Sequence, residues 1–299
     1  MCKMITIFTP TYNRAYLLSN LYKSLQNQSN NNFEWLVIDD GSTDNTKKLF
    51  DYWLKDKNDF TIRYYKKENG GKHRATNFAL KKANGEIFFP VDSDDILTQD
   101  AIQKINQWFS EIEGSKEYCG ITANKGFLNG TPANPLFNSE FLDKTFLDVL
   151  TYKENDKFVL NGERATCIYT DIFRKFSYPE FENEKFVTEA VAYNRIAHAG
   201  YKSRFFNDII YLYEYKEDGL TKSGSSLFLN NPHGYGLWLK EKDIFMNKSF
   251  SDKLKTYYSF TCELKDKYED NLIAECIDIP VILVKALKLI NKIISLIRK

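Results

Sequence analysis

Three aspartates crowd into Asp92-Ser93-Asp94-Asp95, directly after the apolar run Ile87-Phe88-Phe89-Pro90-Val91. A buried-type strand that ends in carboxylates should hold at least one of them at its tip. Mg2+ and Mn2+ prefer oxygen ligands and are commonly held by one or two carboxylates plus substrate phosphates, so the group suits a metal–diphosphate complex. A solvated loop with a helix-capping Asp fits the same residues. Asp39-Asp40-Gly41-Ser42-Thr43-Asp44 carries a similar pair of readings. Asp40 at a strand end can accept from a base N–H or a ribose hydroxyl, and Ser42 or Thr43 can cap the following helix. In Pro10-Thr11-Tyr12-Asn13-Arg14, Tyr12 can stack on a base or simply pack. Gly70-Gly71 before Lys72-His73-Arg74 offers amides and cations to a phosphate or a base, or forms only a turn; it matches neither the Walker loop nor the dinucleotide fingerprint.

These clusters must be positioned by something regular. From residue 4 to about 124, short apolar runs alternate with helical periods, the signature of a parallel α/β sheet. Expected strands are Met4 to Thr9, Glu34 to Ile38, Thr61 to Lys66, Glu86 to Val91 and Tyr118 to Asn124. Leu18, Leu21 and Leu25, then Leu49, Phe50, Trp53 and Leu54, then Ala101, Ile102, Ile105, Trp108 and Ile112 mark crossover helices. An open parallel sheet binds ligands beyond the carboxyl ends of its strands. All four polar clusters fall at such ends, so they are expected to converge on one edge.

Composition fits this and narrows the partners. Hydrophobic residues make up 43% and charged residues 27% of the 299, a globular balance that excludes a disordered acidic chain. Lys plus Arg number 41 against 40 for Asp plus Glu, so no general basic field exists to hold a nucleic acid. The odd number of scattered cysteines, Cys2, Cys119, Cys167, Cys262 and Cys276, supports neither a disulfide framework nor a clustered zinc site, and reduced thiols in the cytoplasm are expected. No secretion signal and no apolar run of about 18 residues is found, which points to a cytoplasmic location.

After about residue 125 the alternation stops, and Asn129-Gly130-Thr131-Pro132 marks a turn. A helix near Glu189 to Ala199, strands at Ser203 to Phe206 and Ile209 to Tyr215, and a loop from Asp218 to Gly236 are expected. From Val281 to Ile297, Lys285, Lys288, Asn291, Lys292 and Ser295 recur at three or four residues among Val, Ile, Leu and Ala, and no acid follows Asp278. Such a helix either lies in a membrane interface or packs on another helix. The chain therefore divides into a nucleotide-binding half (1–124), an acceptor-binding half of the same domain (125–236) and a helical extension (237–299).

Taken together, Ile5 to Arg14, Val37 to Asp44 and Asp92 to Asp95 resemble glycosyltransferase family 2, the inverting nucleotide-sugar transferases of the GT-A fold, over roughly residues 3 to 215. The resemblance implies a Rossmann-like, mostly parallel sheet flanked by helices, a mixed α+β acceptor half and an amphipathic helical tail. It implies a base pocket lined by Pro10, Tyr12 and Asp40, with Thr11, Arg14 and Ser93 also on the donor. Asp92 would approach the ribose, and Asp94 would ligate Mn2+ or Mg2+ on the diphosphate, supported by Asp95. The chain departs from the family at Ala75-Thr76-Asn77, where many members have Ala-Arg-Asn; Lys72 or Arg74 would serve instead of Thr76. Phe186 to Ala197 resembles the family's acidic stretch before a helix. This makes Glu189 the expected general base, with Glu184 and then Glu182 as competitors and a helix-dipole role as the plainer alternative. The segment holding Gly219 and Thr221 would close over the diphosphate or acceptor, and His233 is the available late histidine for the metal.

The activity so implied is metal-dependent, inverting transfer of a sugar from a UDP-sugar to a hydroxyl of a glycan or a polyprenyl-diphosphate-linked glycan, in surface polysaccharide synthesis. It would take place peripherally on the cytoplasmic face of the plasma membrane, with contact through residues 279–299 and an oligomer not excluded. A sugar-nucleotide-forming nucleotidyltransferase is the second reading, though its first loop usually needs glycines that Pro10 to Arg14 lacks. A silent nucleotide-sugar-binding scaffold is the third.

Overall fold

The structure is a computed structural model that describes residues 3–214 and 224–297; Gly219, Thr221 and Tyr215 lie outside the described residues. The chain divides into two compact units, Met1–Ser177 with Arg195–Lys216, and Tyr178–Asn194 with Glu217–Lys299. This division does not follow the segments 1–124, 125–236 and 237–299. The stretch 178–194, which carries Glu184 and Glu189, groups with the C-terminal helices.

The first unit begins with β1 (Ile5–Thr11), α1 (Ala15–Gln26), β2 (Phe33–Asp39), α2 (Thr46–Trp53), β3 (Thr61–Lys66), α3 (Lys72–Lys82) and β4 (Ile87–Pro90), all but α3 marked in the sequence by apolar periods. Next come β5 (Ile96–Leu97), α4 (Ala101–Glu111), β6 (Tyr118–Phe127), β7 (Phe141–Lys144), the ribbon of β8 (Lys153–Glu154) and β9 (Lys157–Phe158), β10 (Ala165–Tyr169) and α5 (Thr170–Lys175). After α6 (Ala190–His198) follows β11 (Lys202–Tyr213). The nine-stranded sheet runs β3-β2-β1-β4-β10-β6-β11-β5, with β7 on β11. β1 and β2 are buried nearly throughout, as strands covered on both faces must be, whereas β3 is half exposed at the sheet's edge.

Two differences from the sequence pattern matter. β6 does not lie beside β4, because antiparallel β10 is inserted between them. A side chain at Gly120 of β6 would run into the Cys167 carbonyl of β10, so only glycine lets the strands pair this closely. The two strands expected at 203–206 and 209–215 are one strand, β11, with its register shifted between Phe205 and Ile209. A break in apolar alternation therefore marked a bulge rather than a turn.

Aromatic packing fixes α1 and α2 to the sheet. Tyr22 stacks on Trp53 at 4.4 Å and Phe50 on Tyr64 at 4.6 Å, around the fully buried Trp35. Each such ring contributes about 1.5–3 kcal/mol by leaving water, and the Trp35 indole N–H is satisfied by the Thr9 hydroxyl at 3.0 Å. Leu54, expected on this face, is exposed instead, because α2 stops at Trp53.

The second unit is helical: α7 (Gly224–Leu229), α8 (Pro232–Phe245), α9 (Phe250–Leu264), α10 (Asp270–Ile277) and α11 (Val281–Ile297). Its own core gathers Leu239, Phe260, Leu264, Ile273, Ile277 and Val284.

Candidate active site

Register sets the carboxyl ends of the central strands side by side. Thr11 of β1 pairs with Asp39 of β2, and Asp39 with Lys66 of β3. The loops beyond them are laced together. The Asn13 backbone N–H donates to the Ser42 hydroxyl at 2.9 Å, and the Thr43 N–H donates to the Asn13 side-chain oxygen at 2.8 Å. Asn13 adopts a left-handed conformation with φ of 54°, which asparagine tolerates. Neither Ser42 nor Thr43 caps α2. Asp44 does this work, accepting from the Thr46 N–H at 3.0 Å and the Thr46 hydroxyl at 2.6 Å, and from the Ala15 N–H of α1 at 3.0 Å. Burial opposes its charge, but these hydrogen bonds outweigh that and hold its carboxyl below the usual range. Tyr12 stands at the tip with 49% of its surface exposed, and Pro10 is half-buried below it. The buried Thr11 hydroxyl has no hydrogen-bond partner among the described residues. Arg14 donates to the Tyr16 hydroxyl at 3.0 Å.

Asp40 joins the second cluster to the third. Its carboxylate pairs with Lys67 at 2.6 Å and accepts from the Gly70 N–H at 3.0 Å, the Gly71 N–H at 2.7 Å and the Asn69 side chain at 3.1 Å. It therefore holds the turn before α3, a role that spacing alone did not reveal, and Lys67 is a residue the sequence reading missed. Gly41, with φ of 92°, is required here, because a Cβ would lie 2.9 Å from the Asn69 nitrogen. Thr76 is buried with its hydroxyl on the Lys72 carbonyl at 2.8 Å, one turn back in its own helix. Lys72 reaches forward and pairs with Asp92 at 2.6 Å, linking the third cluster to the fourth.

The fourth cluster divides its carboxylates among three environments. Asp92, with about a third of its side chain exposed, keeps its carboxyl below the usual range: burial opposes the charge, but Lys72 and Lys125 prevail. Asp95 is buried and accepts from the Tyr211 hydroxyl at 2.7 Å. Burial first, and the charge of Asp92 next, push its carboxyl up to about 7. The same Tyr211 hydroxyl accepts the Asp92 N–H at 2.9 Å, and Lys125 sits 4.2 Å over the tyrosine ring. Tyr211 and Lys125 come from β11 and β6 and carried no signal in the local sequence. Ser93 is buried. Asp94 alone of the three acids has no hydrogen-bond or ion-pair partner among the described residues. It borders an open cavity of about 670 Å3, together with Lys23 of α1, Asn27 just after it, Leu97, Leu128 and Glu214.

Hard oxygen donors suit Mg2+ or Mn2+. No group of three or more His, Cys, Asp or Glu among the described residues makes a complete cage. An ion here would complete its coordination from phosphates and water, and the unpartnered Asp94 carboxylate fits that arrangement.

The second unit holds the other acids. Glu184 is buried and accepts the His233 and Gly234 N–H groups at 2.7 and 2.9 Å, on the first turn of α8, while His233 Nδ1 lies 2.8 Å from it. This carboxylate is an anchor for a helix N-terminus. The His233 ring stacks on Phe181, and its Nε2 lies 3.9 Å from Glu275. Glu189, just ahead of α6, is exposed, as is Glu182.

Comparisons with known proteins give the family and the fold. The family model described as Glycosyl transferase family 2 matches residues 6–176, more than half of the chain. An uncharacterized glycosyltransferase of Rickettsia felis is 38% identical over 99 residues, covering 33% of this chain and 16% of that protein, so the match spans about a sixth of the relative's length. The GalNAc(5)-diNAcBac-PP-undecaprenol beta-1,3-glucosyltransferase of Campylobacter jejuni is 30% identical over 210 residues, 58% of this chain and 66% of its own. Among solved structures, S. aureus TarS 1-349 in complex with UDP has a TM-score of 0.57 at 16% identity, covering 95% of this chain and 90% of that one. The mannosyltransferase PcManGT of Pyrobaculum calidifontis, in complex with GDP-Man and Mn2+, has a TM-score of 0.56 at 16% identity, covering 99% and 81%. The fold is of the GT-A type.

Proposed function

The chain belongs to glycosyl transferase family 2, and from that premise we propose that it transfers a sugar, with inversion, from a UDP-sugar to a hydroxyl of a glycan or polyprenyl-diphosphate-linked glycan in surface polysaccharide synthesis. The observation that carries this reading is that three links join neighbouring clusters in turn, Asn13 to Ser42, Gly71 to Asp40 and Lys72 to Asp92, the last cluster also holding Asp94, which has no partner among the described residues. Tyr12 and Pro10 offer a face to the base, the Asp92 carboxylate accepts from a ribose hydroxyl, and Lys72 adds a cation near the diphosphate. Asp94 would hold Mn2+ or Mg2+, with Asp95 behind it. The ion would supply charge neutralisation for the departing diphosphate. His233 is not assigned to this set; Glu184 orients its imidazole through Nδ1, and Nε2 lies 3.9 Å from Glu275.

Inversion needs a base one hydrogen bond from the acceptor hydroxyl. Glu184 is occupied by the amides of α8, so the role is assigned to Glu189. The lipid-linked acceptor named in the Campylobacter relative supports a workplace at the cytoplasmic face of the membrane. The test is release of nucleoside diphosphate from a panel of UDP- and GDP-sugars with Mn2+. Stimulated UDP release is expected from at least one donor, and pyrophosphate release from a nucleoside triphosphate would replace this reading with a nucleotidyltransferase.

A further inference from the structure

α11 has two unlike sides. Its inner side packs on α9 and α10 through the buried Val284 and Leu287. Polar contacts fix the same side: Lys288 pairs with Asp270 at 2.5 Å, and Asn291 donates to the Tyr258 hydroxyl at 2.9 Å. The sequence left open whether this helix packs on protein or meets a membrane, and packing uses only part of its circumference. The outer side is apolar and open, with Ile282 78%, Leu289 60%, Leu296 65% and Ile297 77% exposed. At about 100° per residue, Ile282, Leu289, Ile293 and Leu296 form one stripe opposite Val284, Leu287 and Asn291. Lys285 and Lys292, both exposed, run along one edge of it.

A contiguous apolar stripe of this length marks a surface that something covers. Charge selects the cover. Residues 279–299 contain five cations and no acid. A second copy of this face would set lysine against lysine with no carboxylate to answer them, whereas an anionic lipid surface complements both the stripe and its charged edge. The 17 residues of α11 reach about 25 Å, less than the roughly 30 Å of a hydrocarbon core. No described helix is long and apolar enough to cross a membrane. We infer that the outer face of α11 docks this chain on an anionic bilayer, lying in the interface with Lys285 and Lys292 at the headgroups. This deepens the membrane-side placement proposed above, but it does not depend on the transfer reaction.

Flotation of the full chain with phosphatidylcholine vesicles, with and without phosphatidylglycerol, tests it. Wild type should float with the anionic vesicles, and Lys285→Gln and Lys292→Gln should each weaken binding about five-fold. The combined Ile282→Gln, Leu289→Gln, Ile293→Gln variant should lose binding at least about ten-fold while keeping the wild-type melting temperature, since these side chains are exposed. Wild type that ignores anionic vesicles, or a triple variant that floats equally well, overturns the inference. So does a vesicle-free dimer that the triple variant abolishes, which would assign the face to a second copy. Nucleotide release without vesicles reports on the reaction separately: wild type that floats but releases nothing supports docking and counts against the transferase reading alone.

Discussion

The acidic loop after β4 and the acidic stretch before α6 each put one chemical group to unlike uses. In the loop, Asp95 is buried on Tyr211, Asp92 is tied to Lys72, and Asp94 remains facing the cavity. In the stretch, Glu184 is sunk onto the amides of α8 while Glu189 stays exposed. Both regions thus pair an anchor with a presented carboxylate. They differ in what compensates the anchor. Glu184 sits at the positive end of a helix, whereas Asp95 has other acids as neighbours and its carboxyl is pushed up to about 7. A carboxylate's job follows from the donors that the fold brings to it, and its place in a motif does not rank it.

The strongest challenge to this contrast is removal of a presented acid. Asp94→Ala should lower turnover by about 10^3-fold, with stability changed by less than about 0.5 kcal/mol; nucleotide release and thermal melting measure the two, and full turnover would remove Asp94 from the site. Glu189→Gln should cost about 10^2-fold in kcat with an unchanged melting temperature. If Glu184→Gln instead produced the larger kcat loss without destabilisation, the two glutamates would exchange roles.

Anchors should behave in the reverse manner. Glu184→Ala leaves two amides of α8 without their acceptor, and a loss of about 2–3 kcal/mol is expected in denaturant unfolding, with turnover of the folded fraction within about two-fold. Tyr211→Phe removes the link between Asp92 and Asp95. It should cost about 1–2 kcal/mol and weaken Mn2+ binding, read by electron paramagnetic resonance without turnover, more than it changes kcat.

The smallest effect is a pH dependence, measured with a chelator present. The Asp95 carboxyl is raised from 3.8 to about 7 in the fold, so the native state binds this proton more tightly than the unfolded chain does. Its stabilising contribution is complete below about pH 4 and is lost as the pH rises through about 7. Asp92, held low, contributes in the opposite sense, present at neutral pH and lost on acidification. Asp95→Asn should flatten the fall in melting temperature between about pH 5 and pH 8, by a few degrees. An unchanged slope would mean that Asp95 is not buried as described.

Much of the edge that carries the polar clusters was legible in advance. Apolar runs capped by polar clusters fixed β1 to β4, and a parallel sheet has only one edge at which such clusters can gather. Within the edge, legibility stopped at the side chain. Asp40 reads as a base-binding acid by motif, yet in the fold Lys67, Asn69, Gly70 and Gly71 surround it. The insertion of β10 beside β4 was also invisible, because periodicity reports that a strand exists and not which strand it pairs with.

The sequence alone determined the alternation of strands and helices, the placement of four polar clusters at strand ends and the amphipathic character of residues 281–297. All of these are local, set by side-chain period and turn chemistry. Only the tertiary structure decided which carboxylates are anchors and which are presented, and which side of α11 is covered. Those outcomes depend on donors such as Tyr211, which lies 116 positions from Asp95, and burial and hydrogen bonding act through space without regard to that separation.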